Sequence, residues 1–382
     1  MARTLVTGAL ALTHSLSAAD AGPSSSVAPI SPKLAFANES ISMWTKSMEL
    51  GGGFGYKDNV TLSAVKPESS TFWRSNAEIF LYRLPSDGLE ATAVVDAEDI
   101  RYLESRTSRL EDFVTARAQV RRFYESGWIP SFAATYSYMD QIWDASVSEA
   151  ALTTVRARGH LVQLEPEVQR WLVGKFHFDV QFLAQRQYLN APLDDYWEYG
   201  PKFSIGLRYK NQDPSEVGLS VQVHQRTYDT RQATDGVGAT LSDTHLSFDI
   251  YRYQANWDHA FGEHQRLRLT TKVGVELNQD SAAGYFDYKR YFAGEQIRVK
   301  LGSWKFSANG EFSEYEFGLQ PVSTTDTRMR RNSILSISGR IERPIRGGLV
   351  GYAQGGFEQS LSNRDTDRYH AATVSAGVEF GF

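Results

Sequence analysis

The sequence predicts an all-β fold, a transmembrane up-and-down antiparallel β-barrel of about sixteen strands. Three observations predict it. Apolar and polar residues alternate with a period of two in segment after segment from residue 44 onward, as they do in strands with one wet face and one apolar face. The connections between these segments alternate between tight turns and longer polar stretches, which matches short turns at one end of a barrel and longer loops at the other. The eight tryptophans fall near segment ends, the placement a bilayer selects for rings with one polar atom.

The elements follow in order. Segments near 44–57, 72–82 and 89–99 open the series. The first contains Gly51 to Gly53, which reads as a kink or bulge inside a strand and not as a phosphate cradle. In 112–123, Val114, Ala116, Ala118 and Val120 oppose Thr115, Arg117, Gln119 and Arg121. Segments near 128–143 and 159–172 precede 175–189, where Phe176, Phe178, Val180 and Phe182 oppose His177, Asp179 and Gln181. In 199–210, Phe203, Ile205, Leu207 and Tyr209 oppose Ser204, Arg208 and Lys210. Segments 216–229 and 245–259 lead to 265–279, with Leu267, Leu269, Val273, Val275 and Leu277 against Arg266, Arg268, Lys272, Glu276 and Asn278. In 288–300 the apolar set is Tyr291, Ala293, Ile297 and Val299, but Glu295 falls in it; a bulge at Gly294 would remove the conflict. Segments 304–318, 331–342, 349–362 and 369–382 complete the set.

Tight turns such as Pro85 to Gly88, Glu125 to Gly127, Gly174–Lys175 and Gly302–Ser303 mark one end of this barrel. No connection at the other end exceeds about 15 residues on this map, the upper edge of ordinary loops. Membrane-interface aromatics are expected at Trp44, Trp128, Trp171, Trp257 and Trp304 on the short-turn side, and at Trp73, Trp143 and Trp197 on the long-loop side.

The remaining composition narrows the class. The chain has 382 residues, 41% hydrophobic and 22% charged, a net charge of −5 and no cysteine. Its stability must come from packing and backbone pairing without disulfides or thiolate-bound metal. No segment has the eighteen apolar residues of a membrane helix. Charge is not concentrated in runs, which argues against nucleic acid as a partner. Residues 1–21, with Arg3, an apolar stretch from Leu5 to Leu16 and small residues at Ala19 and Ala21, read as a signal peptide. Residues 22–43 then form a flexible periplasmic segment and 44–382 the barrel.

The last residues are "VSAGVEFGF". With a polar Ser375, Gly377 two later, and Phe380 and Phe382 at the third-last and last positions, this ending resembles the carboxyl-terminal assembly signal of bacterial outer-membrane β-barrel proteins, the porin-like barrels among them. The resemblance implies residence in the outer membrane, contact with its lipid and lipopolysaccharide, and handling by the barrel-assembly machinery. The stretch Gly55 to Ser63, "GYKDNVTLS", looks like the opening strand of several outer-membrane barrels. It is also similar to the barrel part of surface-lipoprotein assembly proteins, which place a helical-repeat domain ahead of the barrel where this sequence has about twenty residues.

A sixteen-stranded barrel is wide enough for an aqueous lumen. Its inward positions are expected to carry Arg117, Arg121, Lys202, Arg208, Arg266, Arg268, Lys272 and Arg340, with Glu78, Asp179, Glu276 and Glu379. Such walls suit a channel for passive diffusion of small hydrophilic solutes. They suit equally a set of cross-strand ion pairs that fixes register in a non-conducting structural, surface-binding or export barrel. Residues 22–42 are a further candidate plug. His177 with Asp179, and His224 between Gln222 and Arg226, come with no nucleophile signature, so an enzyme is not expected. Asp194, Asp195 and Glu198 read as a solvated loop, and neither a cofactor nor a metal is expected.

Overall fold

The computed structural model describes residues 43–382 apart from 86, 146–153, 173–174, 210–214, 263–265 and 324. The expected signal peptide, and all of the expected periplasmic segment except Met43, lie outside the described residues.

Sixteen strands form one closed barrel. The first eight are β1 (Trp44–Lys57), β2 (Ser70–Arg83), β3 (Leu89–Tyr102), β4 (Leu110–Arg122), β5 (Trp128–Asp144), β6 (Thr154–Trp171), β7 (Phe176–Leu189) and β8 (Tyr196–Arg208). The rest are β9 (Glu216–Tyr228), β10 (Ser247–Phe261), β11 (Leu267–Asp280), β12 (Tyr288–Leu301), β13 (Trp304–Pro321), β14 (Met329–Arg346), β15 (Leu349–Ser362) and β16 (Tyr369–Gly381). Each strand pairs antiparallel with its sequence neighbours, and β1 closes on β16 from Glu49↔Gly381 to Lys57↔Thr373. Closure leaves no free sheet edge.

Alternation sorts the side chains. On β9, Val217, Leu219 and Val221 are exposed while Ser220, Gln222, His224 and Arg226 are buried. The exposed set recurs around the barrel, with Leu50, Phe54, Val120, Phe132, Val180, Phe203, Val273, Phe312, Ile337 and Val374 among it. A contiguous apolar exterior over a closed even-stranded barrel with a polar interior is the surface of a protein embedded in lipid. The chain is thus a β-barrel of the bacterial outer-membrane type.

The connections keep their parity. On one side they are 84–88, 123–127, 172–175, 209–215, 262–266, 302–303 and 347–348. On the other they are 58–69, 103–109, 145–153, 190–195, 229–246, 281–287, 322–328 and 363–368. The expectation that no loop exceeds about 15 residues fails at 229–246, which spans eighteen, because β9 stops at Tyr228 and β10 starts only at Ser247, where Ala233 and Leu246 of the loop pack on wall aromatics.

Two further expectations are corrected. The β1 register runs without a shift past Gly51 to Gly53, opposite Asn76 to Arg74 on β2 and Glu379 to Gly377 on β16, so these glycines make no bulge. They make room instead, since a Cβ on Gly53 would stand 2.6 Å from both the Ala376 carbonyl oxygen and the Tyr352 hydroxyl. Nor is there a bulge at Gly294, because β12 pairs continuously with β11 and β13 through Glu295. Glu295 stays on the outer face, where Thr271 Oγ1 donates a 2.5 Å hydrogen bond to Oε2. Register shifts occur elsewhere, between Glu316 and Pro321 and between Pro344 and Arg346.

Candidate functional site: the barrel interior and its long-loop mouth

Inward positions follow from register, because residues directly opposite across a ladder share a face. Arg117 and Arg121 on β4, Lys202 and Arg208 on β8, Arg268 and Lys272 on β11, and Arg340 on β14 all point inward. So do Glu78 on β2, Asp179 on β7, Glu276 on β11 and Glu379 on β16. Arg266 is the exception. It lies exposed in the 262–266 turn, because β11 begins at Leu267.

Most of these groups meet an opposite charge close by. Arg117 Nη1 reaches Glu165 at 2.6 Å, past the intervening strand, and Arg121 lies 3.6 Å from Glu90. Arg268 pairs with Asp258, and Glu276 takes Arg252 and Arg290. Arg340 holds Glu342 at 2.7 Å and also Glu379. His177 Nε2 sits between Asp179 at 3.5 Å and Glu216 at 3.4 Å. His224 and Arg226 share Glu198, at 3.3 and 2.5 Å. Glu198 therefore belongs to the wall of β8 and not to a solvated loop.

Sequence reasoning missed several wall cations: Arg74, Arg252, Arg290, Arg298 and Arg330. The signal was present, since each lies on the inward phase of its strand. It was masked where aromatics occupy both faces, as in β12, where Tyr291 is outward but Tyr288 and Phe292 flank Arg290 inward. Arg290 Cζ lies 4.8 Å from the Phe292 ring centroid and 5.5 Å from that of Tyr315, so both rings meet the buried guanidinium within cation–π range.

The charges are not evenly distributed around the wall. On β1 to β3 the inward carboxylates Glu49, Glu78, Glu90, Asp96 and Glu98 outnumber Lys57 and Arg74. On β10 to β12 the inward cations Arg252, Arg268, Lys272, Arg290, Arg298 and Lys300 outnumber Asp258, Glu276 and Asp280. β3 and β11 are eight strands apart in either direction round the barrel, so an acidic wall faces a basic wall across the lumen.

Two loops fold inward over the mouth, also eight strands apart. In the β1–β2 loop, Val60 is buried against Phe72 and Tyr102, and Leu62 against Tyr369 and Ala371 with Ile142. Glu68 ties this loop to its neighbour, its carboxylate accepting from Ser105 Oγ, the Arg106 and Thr107 amides and Thr107 Oγ1. These donors hold the Glu68 carboxyl down to about 2. In the β9–β10 loop, Ala233 and Leu246 join Tyr196, Tyr228, Phe248, Ile250 and Phe286 in the largest apolar cluster.

Six of the expected interface tryptophans stand on the outer face: Trp44, Trp73, Trp128, Trp197, Trp257 and Trp304. Two do not. Trp143 is 9% exposed, packed inside with Ala157 and Leu193. Trp171 points inward beneath Arg208, 4.7 Å from its guanidinium, and beside His177. Their strand-end positions are as expected; their phase in the alternation puts them on the other face. Of the terminal residues, Phe380 and Phe382 are exposed outside, while Ser375 and Gly377 face the lumen.

No protein-family model matches the chain, and no curated protein matches it. Solved structures of similar shape include OmpT, an outer membrane protein of Vibrio cholerae, at 10% identity and TM-score 0.43, over 89% of this chain and 97% of that one. An anion-selective porin from Comamonas acidovorans is similar at 10% identity and TM-score 0.41, over 89% and 99%. OprB of Pseudomonas putida is similar at 7% identity and TM-score 0.46, over 89% and 94%. At such identities no residue role passes from those proteins to this one.

Proposed function

We propose that this barrel is a porin-like channel for passive diffusion of small hydrophilic solutes. The observation that carries the reading is the facing of an acidic wall on β1 to β3 by a basic wall on β10 to β12. Opposed charge across a water-filled bore orders solvent and orients dipolar solutes, which lowers the cost of moving a polar molecule past low-dielectric walls. A barrel needing only internal rigidity gains nothing from separating its charge across the diameter.

The local pairing of wall charges favours a second reading, a non-conducting structural or export barrel sealed by its own ion pairs. Planar-bilayer conductance of the refolded full-length protein, with reversal potential under a salt gradient, separates the two. Discrete steps are expected of the channel, and a silent bilayer with folded protein overturns it. We further propose that the outer ends of the strands meet lipopolysaccharide. There, Asp140 lies between Arg156 at 2.6 Å and Arg158 at 3.7 Å, and Arg331 pairs with Glu316.

A further inference from the structure

Outward arginines at the two ends of the barrel keep different company. At the long-loop end they meet carboxylates: Arg101 reaches Asp99 at 2.8 Å, Arg186 reaches Asp229 at 2.8 Å, and Arg331 reaches Glu316 at 3.1 Å. Arg156 and Arg158 share Asp140. At the short-turn end Arg83 is paired, with Asp87 at 3.0 Å. Lys46, Arg122, Arg170 and Arg343 have no carboxylate within 4.0 Å among the described residues. These four share the outward phase of the exposed Leu50, Val120, Val168 and Ile341 on their strands.

Their neighbours are rings. Arg170 Cζ lies 4.6 Å from the ring centroid of Trp128, which meets Phe178 edge-on at 5.9 Å. Arg343 Cζ lies 5.0 Å from the Trp304 ring centroid. Lys46 follows Trp44 by two residues on the same face of β1, with Arg83 opposite Trp44 on β2. In barrel order these positions run from β13 and β14, across the seam, to β6. A tryptophan holds its depth at the headgroup level, and a cation over its face is kept in place without being neutralised. The short-turn end is the periplasmic one, so the anions within reach are headgroups of the periplasmic leaflet. A guanidinium fork matches phosphate oxygens. A phosphate joined to an amine carries its own counter-charge; one without an amine leaves its full charge for the protein.

We propose that this arc of arginines and tryptophans binds anionic phospholipids of the periplasmic leaflet, those whose phosphate has no headgroup amine. The inference does not depend on whether the lumen conducts. The test is native mass spectrometry of the folded full-length protein in detergent, titrated with phosphatidylglycerol and, separately, with phosphatidylethanolamine of the same acyl chains. Tighter binding of phosphatidylglycerol is expected. The triple variant Arg122→Gln, Arg170→Gln, Arg343→Gln should lose that preference by about fivefold or more, the scale of one basic residue at an anionic surface. Arg331→Gln, at the other end of the barrel, should keep it. Folded mobility on unheated gels qualifies each variant, and Arg122→Gln and Arg343→Gln singly serve if the triple variant misfolds. Equal affinity for the two lipids, an undiminished preference in the folded variants, or an equal loss in Arg331→Gln overturns the proposal. So does lipid A binding more tightly than phosphatidylglycerol through the same three arginines, which would give the arc to lipopolysaccharide.

Discussion

Asn76 of β2 donates a 3.2 Å hydrogen bond from Nδ2 to Glu379 Oε1 of β16, reaching over Gly51 of the strand between them. Arg340 of β14 holds the other carboxylate oxygen. Glu379→Leu removes both contacts and is expected to destabilise the barrel by roughly 2 to 3 kcal/mol, the scale of a charge-assisted hydrogen bond left unmade. Guanidinium unfolding in lipid vesicles measures it. A midpoint unchanged from the parent protein would show that the seam does not depend on this residue.

Glycines at the seam and on the lipid face predict opposite outcomes. A Cβ on Gly53 meets backbone at 2.6 Å, whereas one on Gly310 meets nothing within 4 Å. Gly53→Ala is expected to cost about 1 to 3 kcal/mol as overpacking, and Gly310→Ala to be neutral or to stabilise by up to about 1 kcal/mol. The same unfolding measurement on both variants checks the contrast.

The Glu68 clasp has a defined acid limit. Its carboxyl titrates at about 2 when folded, against 4.5 for the ordinary side chain. Because the folded value is the lower, the clasp's contribution is complete above about pH 4.5 and declines as pH falls towards 2. Relative to the intrinsic rate at each pH, hydrogen exchange at the Arg106 and Thr107 amides should therefore be slow near neutrality and lose that protection in acid. Glu68→Gln should show the fast exchange already at neutral pH, since an amide oxygen is a weaker acceptor than a carboxylate.

Neutralising the basic wall should change selectivity while keeping conduction. In the triple variant Arg268→Gln, Lys272→Gln, Arg298→Gln, the reversal potential under a salt gradient is expected to move towards cation preference. The shift should shrink at high salt as screening shortens the reach of the wall charges. An unchanged reversal potential would remove these residues from the conduction path.

Glu295 offers a test of the lipid face. A carboxyl at mid-bilayer costs less than the about 2 to 4 kcal/mol of a lysine or arginine there, and Thr271 recovers part of that. Glu295→Leu should raise stability in vesicles by about 1 kcal/mol, while Thr271→Val should lower it. A destabilised Glu295→Leu would mean that the carboxyl has a partner in the membrane.

Strand number, chain direction and most of the wall were legible because a period of two fixes the face of each residue once a strand is placed. Arg117, Arg268 and Glu379 could be assigned inward on that ground alone. What the pattern could not carry was contact across non-neighbouring strands, such as Arg117 to Glu165 over β5, or Glu68 reaching the 103–109 loop. Trp143 and Trp171 show the same limit in another form: position along the strand suggested the bilayer interface, and phase overruled it. The inward folding of residues 58–69 had only a weak signal, since the loop's apolar Val60 and Leu62 turn in while its equally apolar Val65 stays exposed.

The glycines on the inward face of β1 have a consequence for assembly. With Gly51, Gly53 and Gly55 bare on that face and Gly377 opposite, β1 and β16 alone have little to stop them sliding by two residues, since glycine-rich strands specify register weakly. Asn76 and Tyr352, one strand further in on each side, reach over the gap and cannot follow such a slide. The correct closing alignment is thus recognised by four strands acting together. Register at the seam is therefore a property of β2, β1, β16 and β15 together, and not of the closing pair alone.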